Sequence, residues 1–162
     1  MAQEVISSAI LIIAAIIATV ALVNAVYPSL FTTTDSVQSV SDTASDRLKT
    51  DVNVDMASMQ NATTLFLWAK NVGSIKVPAG KLPYTDLYFG EPGSMAMVER
   101  SETAAFRWAY VLDDMDGNGD WDPGEILQIA ITDAGASHLT TGTHDLQLVL
   151  YNSASIKNTI TI

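Results

Sequence analysis

From Val5 to Thr34 the chain carries no charged residue, and Ile6 to Val26 is almost entirely Ile, Leu, Val and Ala, broken by Ser7, Ser8, Thr19 and Asn24. Such a run is apolar on every side, which suits lipid or a dry helical core rather than one face of a soluble domain. As a helix its 30 residues would reach roughly 45 Å, against a hydrocarbon thickness of about 30 Å. Only Met1 to Glu4 precede it, with no Lys or Arg. A cleavable secretory signal needs a basic start, a shorter apolar core and a small-residue cleavage site, so the pattern predicts an uncleaved anchor over residues 1–34. Small residues recur at four-residue spacing, Ala14 with Ala18 and Ala21 with Ala25. That spacing lets helix backbones approach closely and marks these alanines as candidate assembly positions; a lone, lipid-solvated anchor is the alternative.

Pro28 is expected to end or kink the helix, and Asp35 can cap a further stretch in which Val37, Val40, Ala44 and Leu48 recur at helical spacing. Residues 35–50 are therefore read as a helical extension, which would make the N-terminal third one long, bent helix, or as a hinge extension, with the Ser/Thr/Asp-rich stretch from Thr32 to Ser45 as the hinge. Arg47 and Lys49 follow the span while no basic residue precedes it, so charge alone would place the C-terminal part inside the cell.

After Thr50 the period changes from helical to alternating. Seven runs read as strands: residues 51–55, 63–70, 86–89, 105–112, 125–131, 145–151 and 156–162. Turn signals separate them, among them Val72-Gly73-Ser74, Pro78-Ala79-Gly80 and Glu91-Pro92-Gly93. Leu146, Leu148 and Leu150, and then Ile156, Ile160 and Ile162, keep one apolar face toward a core. Seven short strands in residues 51–162 predict a β-sandwich.

Charge divides along the same line. Of a formal charge of -10, Glu4 is the only contribution before Asp35, leaving 17 acidic and 8 basic residues beyond it. An acidic chain with a pI near 4.3 lacks the basic footprint of a nucleic-acid binder. With no cysteine, any metal must be held by oxygen or by histidine.

One segment has the spacing of such a site. Asp114-Met115-Asp116-Gly117-Asn118-Gly119-Asp120-Trp121-Asp122-Pro123-Gly124-Glu125 matches the twelve-residue calcium loop, with oxygen side chains at positions 1, 3, 5, 9 and 12 and glycine at 6. Asp114, Asp116 and Asn118 would each supply a side-chain oxygen, Asp120 its backbone carbonyl, Asp122 a direct or water-mediated contact, and Glu125 both carboxylate oxygens. The flanks read as strands rather than helices, which predicts a structural Ca²⁺ loop on a β-hairpin instead of a sensor. A solvated acidic turn is the alternative, since Asp, Asn and Gly are turn residues in any case.

Other chemistry is sparse. His138 and His144 fit no metal or general-base spacing and read as loop residues; Trp68, Trp108 and Trp121 read as core or loop-packing aromatics. The sequence has no Gly-rich phosphate loop and no Gly-x-Ser-x-Gly elbow, so neither an enzyme nor a small-molecule substrate is expected. Asn61-Ala62-Thr63 is a glycosylation sequon, which makes Asn61 a candidate modification site.

Several stretches together carry a family resemblance. They are Glu4 to Ile10, Val23-Asn24-Ala25-Val26-Tyr27-Pro28, Ser45 to Asp51, Trp68-Ala69-Lys70-Asn71-Val72-Gly73, Asp86-Leu87-Tyr88-Phe89-Gly90 and Trp121-Asp122-Pro123-Gly124-Glu125. With them the chain resembles the FlaG (ArlG) family of archaellum accessory proteins, within the type IV pilin-like and archaellin superfamily. The resemblance implies an α+β architecture: a long hydrophobic N-terminal helix followed by an immunoglobulin-like antiparallel β-sandwich. It further implies a static role, anchoring the rotary motor of the archaellum to the envelope. The protein would sit in the cytoplasmic membrane of an archaeon, with the β-domain beneath the S-layer. Self-association through the helix and a FlaF-like, S-layer-binding partner belong to the same expectation. An archaellin or other pilin-like filament subunit is the rival; such precursors usually carry a short basic leader cleaved after Gly, absent from this sequence. A membrane-tethered calcium-binding adhesion domain, with the helix as tether only, is the reading from a different class.

Overall fold

The computed structural model describes residues 2–162. The chain divides into two compact units, Met1–Ala44 and Ser45–Ile162, and one helix, α1 (Ala2–Lys49), supplies all the regular structure of the first. Pro28 does not end α1, nor does the helix break in the candidate hinge, which is helical throughout. The proline removes the N–H that would serve the Asn24 carbonyl, and beyond it hydroxyls turn back onto the helix one after another. Ser29 Oγ donates to the Val26 carbonyl at 2.7 Å, Thr33 Oγ1 to Ser29 at 2.8 Å, Thr34 Oγ1 to Leu30 at 2.9 Å and Ser36 Oγ to Thr32 at 2.7 Å. Side chains that would otherwise compete with the backbone are thereby absorbed into the helix. From Val5 to Phe31 the apolar side chains are exposed, Leu11 at 71% and Leu22 at 65% among them.

The helix terminates inside the second unit. Thr50 N–H donates to the Asp46 carbonyl at 3.1 Å, and Thr50 Oγ1 donates to the same oxygen at 2.7 Å. Asn152 Nδ2 donates to Thr50 Oγ1 at 2.8 Å, and Arg47 Nε donates to the Asn152 carbonyl at 2.7 Å. On the other side Ser74 N–H donates to the Lys49 carbonyl at 2.9 Å, and Val72 and Gly73 N–H donate to the Asp51 carbonyl at 3.0 and 2.9 Å.

Eight strands follow: β1 (Val52–Asn61), β2 (Thr64–Asn71), β3 (Asp86–Glu91), β4 (Ser94–Val98), β5 (Phe106–Asp113), β6 (Ile126–Asp133), β7 (Thr143–Val149) and β8 (Ser155–Thr161). All pairings between them are antiparallel, in two four-stranded sheets ordered β1-β2-β6-β5 and β4-β3-β7-β8. The eighth strand, β4, has no counterpart in the sequence reading. Its Ser-Met-Ala-Met-Val composition has little β propensity, and pairing with β3 across the Pro92-Gly93 turn makes it a strand.

Alternation drives the packing. Leu65, Leu67 and Ala69 of β2 and Leu127, Ile129 and Ile131 of β6 are buried, as are Leu87, Phe89, Leu146 and Leu148 of the facing sheet. Each such Leu, Ile or Phe contributes about 1.5–3 kcal/mol by leaving water. Trp108 and Trp121 are buried as expected, whereas Trp68 is excluded from the core: it alternates with Leu67 and Ala69 and lies on the outer face. His144 is likewise no loop residue. It sits in β7, 1% exposed, stacked on Phe89 with ring centroids 5.0 Å apart, and Nε2 meets the Thr140 carbonyl at 2.7 Å. In the β7 alternation position 144 falls on the inward face with Leu146 and Leu148.

Gly73 lies where the helix end meets the turn after β2, and a β-carbon there would press on the Lys49 carbonyl oxygen and lie 2.7 Å from the Asp51 nitrogen. Both neighbours are backbone and cannot swing away. Gly73→Ala is expected to destabilise the β-domain by about 1–3 kcal/mol, read as a lower urea midpoint at unchanged slope, while Gly80→Ala, with nothing within 4 Å of its β-carbon, leaves the midpoint near wild type.

Candidate metal centre and assembly helix

The loop joining β5 to β6 is held from three directions. Trp121, fully buried, donates Nε1–H to the Glu125 carbonyl at 3.0 Å, and its backbone pairs with Val77 through two bonds of 2.8 and 3.0 Å. Asn71, at the end of β2, donates Nδ2–H to the carbonyls of Ile75 and Trp121, both at 3.0 Å. The Asn71 backbone pairs with the loop's far end, its N–H to Glu125 O at 3.0 Å and its carbonyl to Gly124 N at 2.7 Å. These anchors fix the C-terminal end of the acidic segment, and Gly119 turns the chain ahead of them at φ 80°, a left-handed conformation that glycine adopts without steric cost.

Inside that frame the carboxylates converge. Oxygens of Asp114, Asp116 and Glu125 lie within 4.8 Å of one another. Asp114 accepts the Gly117 and Gly119 N–H groups, each at 2.7 Å. Glu125, only 3% exposed, spans the loop: Oε1 accepts Met115 N–H and Oε2 accepts Asp122 N–H, both at 2.9 Å. Asn118 Nδ2 donates to Asp116 and to Asp122, both at 2.8 Å. The amide thus holds together two carboxylates, and a half-turn of the carboxamide would bring its oxygen to the same place. Asp120 points elsewhere, with Oδ2 on Lys76 Nζ at 2.7 Å and Oδ1 accepting Ala79 N–H at 2.8 Å. An outward Asp120 side chain is compatible with the backbone-carbonyl role that the seventh position has in such loops.

Backbone donors shape the electrostatics. Asp114 is held below its ordinary 3.8, chiefly by the Gly119 N–H and against some desolvation. Asp120 is lowered mainly by its hydrogen bond to Lys76, and Lys76 is raised by the same bond. At Asp133, the last residue of β6, burial pushes the carboxyl up, but donation from the His138 and Gly135 N–H groups and the His138 ring outweighs it and the net shift is down. His138 Nδ1 lies 3.1 Å from both Asp133 Oδ2 and Ser137 Oγ. Serine and carboxylate therefore share one ring nitrogen, whereas a nucleophilic relay places them on opposite nitrogens.

The remaining sequence-predicted positions lie apart from the loop. Ala14, Ala18, Ala21 and Ala25 are exposed along α1. Asn61 is exposed beside the β1–β2 turn, its Oδ1 accepting both the N–H and the hydroxyl of Thr63 at 2.9 Å. Three contributors were not legible in the sequence: Asn71, Lys76 and Ala79. Lys76 and Ala79 come from the connection before β3, and nothing in their local pattern signals contact with residue 120.

A family model for archaeal-type flagellin matches residues 2–160. An uncharacterised protein of Archaeoglobus fulgidus is 28% identical over 155 residues, 94% of either chain. Among solved structures, the archaellum periplasmic stator protein FlaG from Sulfolobus acidocaldarius is similar with a TM-score of 0.55 and 20% identity, covering 68% of this chain and 99% of that one. The FlaF and FlaG stator complex from the same organism gives 0.54 and 20%, over 67% of this chain and 87% of that one. The archaeal flagellum of Methanospirillum hungatei gives 0.68 and 16%, over 97% of this chain and 92% of that one. At these identities the solved structures are likenesses of fold.

Carboxyls held below 3.8 bind fewer protons in the folded chain than in the unfolded one, so stability rises with pH across that range and is lost as pH falls through the lowered values. Urea midpoints measured with chelator are expected to be flat from neutral pH to about 4.5 and to drop steeply below about 4. Asp133→Asn should lower the neutral-pH midpoint and flatten the acid limb; a mutant limb as steep as wild type would remove Asp133 from the account.

Proposed function

This chain belongs to the archaeal-type flagellin family, and on that premise we propose that it is a non-enzymatic structural component of the archaellum machinery. It assembles through its N-terminal helix and anchors the motor to the cell envelope as a static element. The observation that carries the reading is the helix: an uncharged, exposed apolar surface from Val5 to Phe31, on a chain whose fold matches a stator protein over nearly all of that protein's length. Such a surface is covered by lipid, by neighbouring helices, or by both, and the alanines at 14, 18, 21 and 25 allow close backbone approach. Tyr27 and Phe31, packed edge to face at 4.7 Å, suit the boundary between hydrocarbon and head groups. The β-domain then lies outside the cytoplasmic membrane, beneath the S-layer, where a FlaF-like partner would meet it as FlaF meets FlaG in the solved complex. Strand pairing supports an immunoglobulin-like sandwich, since the order β1-β2-β6-β5 against β4-β3-β7-β8 follows the ABED and CFG pattern with one added edge strand.

A filament subunit is the second reading. The likeness to the Methanospirillum flagellum, which runs through almost the whole chain, favours it specifically.

We read the 114–125 loop as a structural Ca²⁺ site. Asp114, Asp116, Asn118 and Glu125 would hold the ion by side chains, Asp120 by its carbonyl, and Asp122 directly or through water. A bound divalent cation would neutralise mutually repelling carboxylates and stiffen the β5–β6 connection.

The test is to recover the native protein from sheared cell-surface filaments and from membranes, quantify it in both and determine its N-terminus. Confinement to the membrane and envelope fraction, in assemblies that Ala18→Glu abolishes, is the expected result; abundance in sheared filaments makes the protein a filament subunit instead. For the loop, Ca²⁺ is expected to raise the melting temperature of the wild type and not of Asp116→Ala. Superimposable wild-type melts with Ca²⁺ and with chelator would exclude the ion.

A further inference from the structure

The outer face of the β1-β2-β6-β5 sheet is not the polar surface that a solvated sheet presents. Residues paired directly across antiparallel strands share a face, and two central rows can be read from the register. One row is Met56, Trp68, Gln128 and Val111; the next is Ser58, Phe66, Ala130 and Ala109. Neither row holds a charge, in a chain that carries 17 acidic and 8 basic residues beyond its helical anchor. Met56 is 52% exposed and Val111 67%, and the Phe66 and Trp68 rings stand side by side with centroids 6.1 Å apart.

The relief of this face is self-complementary. Phe66 and Trp68 make a ridge along β2, while Ala130, paired with Ala109, leaves a trough on β6 beside it, with the uncharged Gln128 at its end. We propose that this face docks on the same face of a second copy of the chain, about a two-fold axis running parallel to the strands between β2 and β6. Each ridge then enters the other copy's trough, and Met56 lies against Val111 of the second copy. In the row beyond, where Lys70 and Asp113 both pair with Ile126, Lys70 of one copy comes beside Asp113 of the other. An axis along the strands also leaves the helix-exit ends of both domains on the same side, as anchoring in one membrane requires. Four strands about 4.8 Å apart and about eight residues long present roughly 500 Å², so a pair buries about 1,000 Å², the lower bound of a specific interface. Elsewhere on the domain the excess of carboxylates opposes self-approach. This contact stands independently of the helix.

The native chain lacks cysteine, which makes the geometry directly readable. Full-length Met56→Cys and Val111→Cys chains, in detergent, are treated separately and mixed with a thiol crosslinker spanning the ~10 Å between packed sheets. The expected result is strong linkage only in the mixture, because Met56 faces Val111 while each residue is three strands from its own copy. Linkage of Met56→Cys to itself would overturn the proposed axis, and no linkage in any combination would overturn the interface. Trp68→Lys and Ala130→Lys, checked for native melting, should each reduce the mixed linkage by at least about tenfold; undiminished linkage in folded variants would sink the ridge-and-trough account. Ala18→Glu in the same background separates the two contacts, since it should leave this linkage intact whatever it does to helix assembly.

Discussion

An apolar helix that its own chain does not cover is the constraint on which the rest of this structure depends. From Val5 to Phe31 the side chains of α1 are exposed, and the hydrophobic effect then requires burial by something outside the monomer. That requirement separates the two parts of the chain. Charge is confined to the residues beyond Thr34, where water can reach it, except for Glu4 in the first turn, where the positive end of the helix dipole favours a carboxylate. The β-domain can therefore be as acidic as solubility permits without placing charge on the apolar surface of the helix.

Elements with a strong period were legible before any coordinates. The apolar run named the helix, and the Leu146-Leu148-Leu150 alternation named a strand with its buried face. What failed to show had identifiable causes. The Ser/Thr-rich stretch after Pro28 reads as a hinge yet is helical, with hydroxyls at 29, 33, 34 and 36 bonded to backbone three or four residues back. Strand β4 exists through its pairing with β3 rather than through its composition. Trp68 and His144 exchanged expected environments for one reason: alternation along β2 and β7 decides which face a residue occupies, whatever its type.

The acidic loop divides in the same way. Its spacing is local, so the convergence of Asp114, Asp116 and Glu125 was readable as a pattern. The parts that hold it in place are distant in sequence. Asn71 reaches across 50 residues to the Trp121 carbonyl, and Lys76 turns Asp120 away from the other carboxylates. Periodicity carries no information about such contacts, because they depend on which strand ends the topology brings together.

The seam at the end of α1 bears on how the molecule carries load. Asn152 belongs to the turn between β7 and β8, and Ser74 follows β2, so the last helical turn is tied to both sheets at once. A pull along the helix does not peel β1 alone from the sheet edge one hydrogen bond at a time. It reaches β1 together with Asn152 and Ser74, so ties to both sheets share the load. Tension is in this way divided between the two sheets before β1 alone can yield.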